Sequence, residues 1–411
     1  MEDIIKKSQK LFKKDIIPRK RYYSRLDSLL KTKQIIVVQG QRRVGKSFIV
    51  MGYLKGLRIN LNSIFFFNKE LDNKNIIKTH IELSDLYDAF VKKHGEPKYI
   101  FIDEIQDILE RERFIRAKFT EWNQKIIISW SNAHLLSTEL TTYLTGRYIP
   151  LEIFPLDYEE YLFFSKKEHS NKTFEEYTRW WGMPEITFID DESEKEDYLK
   201  SVLNTILFKD IVTRFSIKEP AYLEKILNYF ADTIGSPISL RNIKNSSQNY
   251  GWDISSLTTL SNYISYLELP YLMYKVSRFD IHGKKMLEHN EKYYFNDLWI
   301  RNTLRVQMEI DIGKIIENMV YLHLRKMGYK IYIWNIGNKE IDFIAKKGNE
   351  ITYIQVAYVI TDNITRDREF DNLLKIKDAY PKIVVSTDAL ASSKHKGIQR
   401  VNIYDFIRDF K

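Results

Sequence analysis

QIIVVQGQRRVGKS, residues 34–47, is an apolar, β-branched run that breaks into a glycine-bounded loop and closes on Gly-Lys-Ser. The loop fits G-x-x-x-x-G-K-[ST], with Gly40, Gly45, Lys46 and Ser47 at the fixed places and Gln41, Arg42, Arg43 and Val44 between the glycines. The glycines let backbone N–H groups turn inward on an anion, and the helix predicted from FIVMGYL would add its positive end. Lys46 would bring a point charge to the β- and γ-phosphates and Ser47 a hydroxyl to the bridging magnesium, with Phe48 following on the helix. The expected ligands are therefore ATP and Mg²⁺.

Outward from this loop, apolar runs predict strands at 34–38, 63–68 (SIFFFN), 98–105 (KYIFIDEI), 125–131 (KIIISWS) and 148–154 (YIPLEIF). Segments long enough for helices, such as 83–94 and 112–122, separate them, which predicts a parallel sheet covered on both faces. Such a sheet binds its ligand at the carboxyl ends of its strands, where the loop sits. The third run ends in Asp103-Glu104 after four apolar or aromatic residues. At that place Asp103 would hold the metal and Glu104 would polarise the attacking water. The fourth run leads into Ser129, Ser131 and Asn132; Asn132 is the first choice for a contact to the γ-phosphate or the water, and a helix cap is the competing role.

The chain has 411 residues, 44% hydrophobic and 29% charged, enough for several packed cores of the usual size. Zero cysteines exclude disulfides, thiolate metal sites and a cysteine nucleophile. No run of eighteen apolar residues occurs and the start, MEDIIKKSQKLFKK, is charged throughout, so a cytoplasmic protein with no membrane partner is expected. The net charge of +9 is uneven. Residues 1–33 hold eleven Lys/Arg against four Asp/Glu, while residues 155–200 hold six against thirteen. The basic arm suits either nucleic-acid phosphates or a solvated amphipathic helix.

The segments GQRRVGKS, FIDEIQ and SNAHLLSTELTTYLTGRYIPLEIFPLDYEEYL together resemble the archaeal and bacterial AAA+-type ATPases of the AAA domain 14 family, which carry a C-terminal domain of unknown function. The resemblance extends through WWGMPEI, similar to a Gly-Gly-aromatic-Pro signature with Trp181 at the first glycine, and through LFKDIVTRFSI. It implies that Asn132 is a sensor residue. Arg147 is the conspicuous cation of the segment and a candidate arginine finger within its own chain or on a second copy, with pairing to Glu152 as the alternative.

Beyond an acidic, aromatic stretch expected to be a helical lid, residues 220–302 read as three helices and a hairpin turning at His282-Gly283, a winged helix whose 255–267 helix would enter a DNA major groove. Arg241, Lys244, Lys275, Arg278, Lys284 and Lys285 are its candidate DNA contacts, although residues 220–300 balance eight basic with eight acidic residues. The last segment resembles the PD-(D/E)XK nuclease fold, which implies metal ligands at Glu317 and Asp342. Gln355 and Ala357 stand where that pattern has a carboxylate and a lysine, so an inactive site is expected.

The expected architecture is α/β: a P-loop AAA+-like core with its basic arm (1–160), a helical lid (161–216), a winged helix (217–302) and a nuclease-like α/β domain (303–411). The expected function is a magnesium-dependent ATPase coupled to double-stranded DNA. An ATP-regulated nuclease and a nucleotide-driven switch for protein partners are the alternatives, and self-assembly is expected if Arg147 acts on a neighbour.

Overall fold

The computed structural model describes residues 2–121, 123–132, 144–249, 252, 254, 256–280, 285–305, 311–336, 339–358, 370–388 and 394–410. Residues 1–154 with 269–271 form one compact unit, and residues 155–268 with 272–411 form another.

In the first unit the five expected runs are strands: β1 Ile35–Gln39, β2 Ile64–Asn68, β3 Tyr99–Asp103, β4 Lys125–Trp130 and β5 Tyr148–Glu152. All neighbours pair in parallel in the order β2-β3-β4-β1-β5. SIFFFN lies between the phosphate loop and Asp103 in sequence, but in space β4 separates β1 from β3 and β2 is the edge strand. Phe65 and Phe67 on one face of β2 join a core with Ile35, Val37, Ile100, Ile102 and Ile128, while Phe66 on the other face stacks on Phe101. Alternate β2 side chains therefore bury on both faces, as expected of a strand covered by helices on each side.

The basic arm is a helix, α1 Glu2–Leu11, whose Ile4 and Ile5 are buried in that same core, and it is followed by α2, Lys20–Leu30. Phe12 sets its ring edge-on to Phe66 at 5.3 Å. The arm is thus an amphipathic helix that packs on the sheet through its apolar face.

In the second unit a mixed eight-stranded sheet runs in the order β12-β13-β11-β10-β9-β8-β6-β7. Here β6 is Met273–Asp280, β7 Lys285–Phe295, β8 Lys330–Ile336, β9 Lys339–Lys347 and β10 Glu350–Val356, with β11 Lys382–Ser386, β12 Lys394–His395 and β13 Ile398–Asn402 completing it. The hairpin expected to be a free wing is thus the end of the last domain's sheet: β6 pairs with β7 on one side and meets β8 at Arg278↔Ile333 on the other. The expected break near residue 302 is bridged by strand pairing.

Two positions in this unit carry strain or burial that the sequence pattern hides. Trp181, at the family's glycine place, keeps a glycine-like backbone of φ 59°, ψ −148°. That conformation costs about 1–3 kcal/mol for a side-chain residue. Complete burial of the indole, stacked on Tyr177 at 4.8 Å, offsets the cost.

Asp297 is fully buried and accepts from the backbone N–H of Trp299 at 3.3 Å, while its Oδ2 has no hydrogen-bond partner. Burial pushes its carboxyl well above the ordinary range. An acid whose folded pKa is raised binds more protons folded than unfolded, so its contribution weakens stability as pH rises above about 4, the unfolded value. Asp297→Asn should flatten that slope and raise the melting temperature at neutral pH; an unchanged pH–stability profile would show that Asp297 is not the buried acid responsible.

Candidate active site

The loop between β1 and the helix α3, Lys46–Gly56, is built by two glycines for different reasons. Gly40 has φ +145°, and a Cβ there would lie 2.2 Å from the carbonyl oxygen of Ile153. Gly45 takes φ 90° at the N-cap of α3, a left-handed turn that releases the first N–H groups of the helix. From below, the buried Arg19 donates through Nη1 to the carbonyls of Val44 at 3.2 Å and Phe154 at 3.0 Å. Sequence reasoning left Arg19 in a generic basic arm because only the fold shows what its guanidinium reaches.

Lys46 is 5% exposed and donates to the loop carbonyls of Gly40 and Gln41, both at 3.1 Å. Its Nζ also lies 3.8 Å from Glu104 Oε1. Arg42 is buried and ion-paired to Glu70 at 2.8 Å, Arg43 is exposed with φ 70°, and Phe48 is 42% exposed on the outer face of α3.

Asp103 and Glu104 close the site from β3. Asp103 is 1% exposed; it accepts from Asn68 Nδ2 at 2.9 Å and from the hydroxyls of Ser129 and Ser47. The Ser47 contact joins the two groups expected to share a metal. Burial, and then the neighbouring Glu104 charge, push the Asp103 carboxyl up to about 6. Glu104 is itself in the left-handed region, φ 53° and ψ 48°. Its N–H donates to Ser129 Oγ at 3.2 Å, and its Oε2 accepts from Gln106 Nε2 and from Ser131 Oγ at 3.2 Å. Burial opposes the Glu104 charge, yet Lys46 and Arg42 hold it below the ordinary carboxylate range. A carboxylate kept ionised beside an ammonium can polarise water, and a hydroxyl beside a carboxylate can hold a hard cation.

Asn132 is fully buried just past the β4 tip, and Ser129 and Ser131 are the residues seen against the two acids. Asn68, Glu70 and Gln106 were not singled out from sequence. Asn68 in particular ends β2 and meets Asp103 across the β2–β3 pairing, a register that no single-strand pattern reveals.

Arg147 is displaced from its expected role. Its carbonyl accepts from Ile35 N–H at 2.9 Å, where β1 begins, and its guanidinium sits 5.8 Å from the Phe119 ring. The phosphate loop lies at the other end of β1, about 16 Å away for five extended residues. Within its own chain Arg147 is no finger; Arg42 is the guanidinium beside the acids.

With this geometry in place, the relatives become informative. A family model described as "AAA domain" matches residues 32–162, and two models for domains of unknown function match 171–310 and 312–406. An uncharacterized protein of Haemophilus influenzae is 32% identical over 401 residues, 96% of this chain and 99% of that protein. The chain belongs to the AAA-type ATPase family. An uncharacterized protein of Methanocaldococcus jannaschii is 27% identical over 90% of this chain and 85% of its own. A Walker-type ATPase of Pyrococcus abyssi is similar in fold, with a TM-score of 0.50 at 18% identity over 71% of this chain and 97% of its own. Among the described residues no helix is long and apolar enough to cross a membrane.

The two C-terminal candidate sites look different from what their residue types suggest. Glu317, on the helix Ile312–Lys326, accepts at Oε1 from Lys292 Nζ at 2.8 Å and from Tyr294 O–H at 2.7 Å. Its Oε2 accepts from Lys314 at 3.2 Å. The Lys292 ammonium, 1% exposed, also lies 2.5 Å from Glu340 and 3.6 Å from Asp342 Oδ1. Asp342 Oδ2 accepts from Val356 N–H at 2.8 Å, and Gln355 is buried on the same strand. The cation at these acids is therefore a lysine of β7, counted from sequence among the charges of a DNA-binding module.

Arg278, expected on the wing, is half-buried where β6 meets β8. The expected recognition helix is Leu257–Glu268, which buries Leu260, Tyr263, Ile264 and Leu267 and carries no Lys or Arg. Arg241 is exposed and Lys244 half-buried on the helix Leu240–Asn249. Lys284 lies outside the described residues, as does the side chain of Lys285.

Proposed function

We propose that the chain binds ATP with magnesium at Gly40–Ser47 and hydrolyses it. The observation that carries the reading is the convergence of Lys46, Ser47, Asp103 and Glu104 in one buried site at the carboxyl ends of β1 and β3. Gly40 supports it separately, since a Cβ there meets backbone and the loop must stay narrow.

In this reading Lys46 leaves the Gly40 and Gln41 carbonyls for the β- and γ-phosphates. Ser47 Oγ and Asp103 would hold the metal, which would neutralise charge on the phosphate oxygens. Glu104, released from the nearby ammonium, orients the attacking water and takes up its proton density. Gln106 and Ser131 fix the carboxylate through Oε2 and leave Oε1 for that work, while Asn68 and Ser129 orient Asp103. Asn132 keeps its proposed place as the polar group past the β4 tip. Titration of the chain with ATP and Mg²⁺ should give binding that Lys46→Ala weakens at least about tenfold through loss of one charge-assisted contact; equal affinity in that variant would place the nucleotide elsewhere.

Coupling to double-stranded DNA is the narrower part of the proposal. With Arg278 half-buried, Lys275 ion-paired to Glu291 at 3.6 Å and Lys292 held by carboxylates, the module offers Arg241, Lys244, Lys284 and Lys285 as phosphate contacts. Four contacts predict a log–log salt slope no steeper than about −4. A steeper slope would require cations outside this set, and salt-independent affinity or none would favour a switch acting on protein partners. Nuclease chemistry is not part of the proposal, since a lysine ammonium sits among the acids that would have to hold a metal.

A further inference from the structure

The second unit carries a cleft of about 1140 Å³, open to solvent on one side, that the ATPase chemistry does not use. Its wall is made by the helices Asn171–Trp180 and Trp299–Leu304 together with the start of the helix Ile403–Asp409. Ligand sites are typically about 300–1,000 Å³, so the space suits a whole small molecule and not an ordered water or two.

Two donor groups in this wall are incompletely met, one without an acceptor and one without a counter-ion. Trp299 is completely buried and its indole N–H has no hydrogen-bond partner. Arg301, 4% exposed, donates through Nε to the Ala231 carbonyl at 3.3 Å and makes no ion pair among the described residues. Burial, and then the Arg305 charge, loosen its hold on its proton, and Asp311 and Asp232 offset this only in part. Arg305 lines the same cavity at the end of that short helix and has a counter-ion, Asp232, at 2.8 Å.

Native structures rarely leave buried donors unmet, because each costs about 1–3 kcal/mol and more when charged. Donors met incompletely call for a ligand that is rich in acceptors and negatively charged. A guanidinium fork fits a phosphate or carboxylate edge. The rest of the wall suits a planar ring: Tyr404 is stacked on His169 at 4.0 Å between centroids, and Trp180 and Trp299 add indole surface.

We propose that this cavity is a second ligand site, distinct from the phosphate loop, that takes an organic phosphate of mononucleotide size with its phosphate on Arg301 and Trp299 and its ring against the aromatic wall. The full-length Lys46→Ala chain, with the first site weakened, should be titrated calorimetrically with AMP, inorganic phosphate and adenosine. AMP should bind more tightly than either half alone, and adding Arg301→Met should weaken it at least tenfold while the chain still unfolds cooperatively. Absence of AMP binding in Lys46→Ala, or equal AMP affinity with and without Arg301→Met, overturns the proposal, as does adenosine binding as tightly as AMP. Should Arg301→Met not fold, Thr303→Trp fills the cavity while keeping the guanidinium; it must abolish AMP binding, and retained binding overturns the site.

Discussion

Glu104→Gln should leave ATP binding intact and lower turnover by about 10²–10⁴-fold, the usual contribution of a general base. The variant is nearly isosteric, so its carbonyl oxygen can still accept from Gln106 and Ser131, the two groups that hold Oε2. What disappears is the charge that Lys46 and Arg42 keep on the carboxylate against the pull of burial. The backbone at residue 104 is left-handed, which tolerates glutamine no worse than glutamate, so a folding defect is not expected. Measuring ATP affinity beside single-turnover hydrolysis separates the two effects. Wild-type hydrolysis by Glu104→Gln would sink the assignment of the water-polarising role, while loss of binding would mean that Glu104 shapes the phosphate pocket itself.

The same site shows how far sequence reaches. The phosphate loop and Asp103-Glu104 were legible because each is a contiguous pattern: an apolar β-branched run fixes the strand, and the next few residues must then lie at its carboxyl end. Asn68, Ser129 and Gln106 were not legible as partners, since their contacts depend on strand order and register. SIFFFN follows the loop strand in sequence, yet it is the sheet edge, adjacent to Asp103 and not to β1. Arg147 failed for the converse reason. It stands out chemically in its segment, but residues that precede a strand in a parallel sheet lie at the end opposite the ligand.

Charge counting failed in the second unit through the same missing information. Lys292 adds one to the cations of residues 220–300, and nothing local says that β7 carries it beneath the helix Ile312–Lys326. The hairpin itself was predicted, but its continuation into β8 was not, because the two are joined through residues more than forty positions apart. Trp181 taught the opposite lesson: a departure from a glycine pattern preserved the backbone conformation and placed the strain on tryptophan.

Lys292→Met should destabilise the second unit by about 3–5 kcal/mol, the cost of stripping one partner from a buried ion cluster. Glu317, Glu340 and Asp342 would then share a buried space without the ammonium that now lies within 3.6 Å of each. Burial and the Glu317 charge already push the Asp342 carboxyl up to about 7, and removing the lysine would force protonation of a second acid. Lys314 cannot compensate, since it is half-exposed and reaches only the other oxygen of Glu317. Among the described residues no group of three acids or histidines is arranged to hold a metal, so millimolar Mg²⁺ should not restore the variant. Urea unfolding of Lys292→Met with and without Mg²⁺ makes both measurements at once. Unaltered stability would show that the ammonium is dispensable, and rescue by Mg²⁺ would reveal a cation site that the lysine merely occupies. The wild-type chain should correspondingly leave plasmid DNA uncut with Mg²⁺ or Mn²⁺. Cleavage that disappears on Asp342→Ala would reverse the argument, because a lysine held by three carboxylates cannot share that space with a catalytic metal.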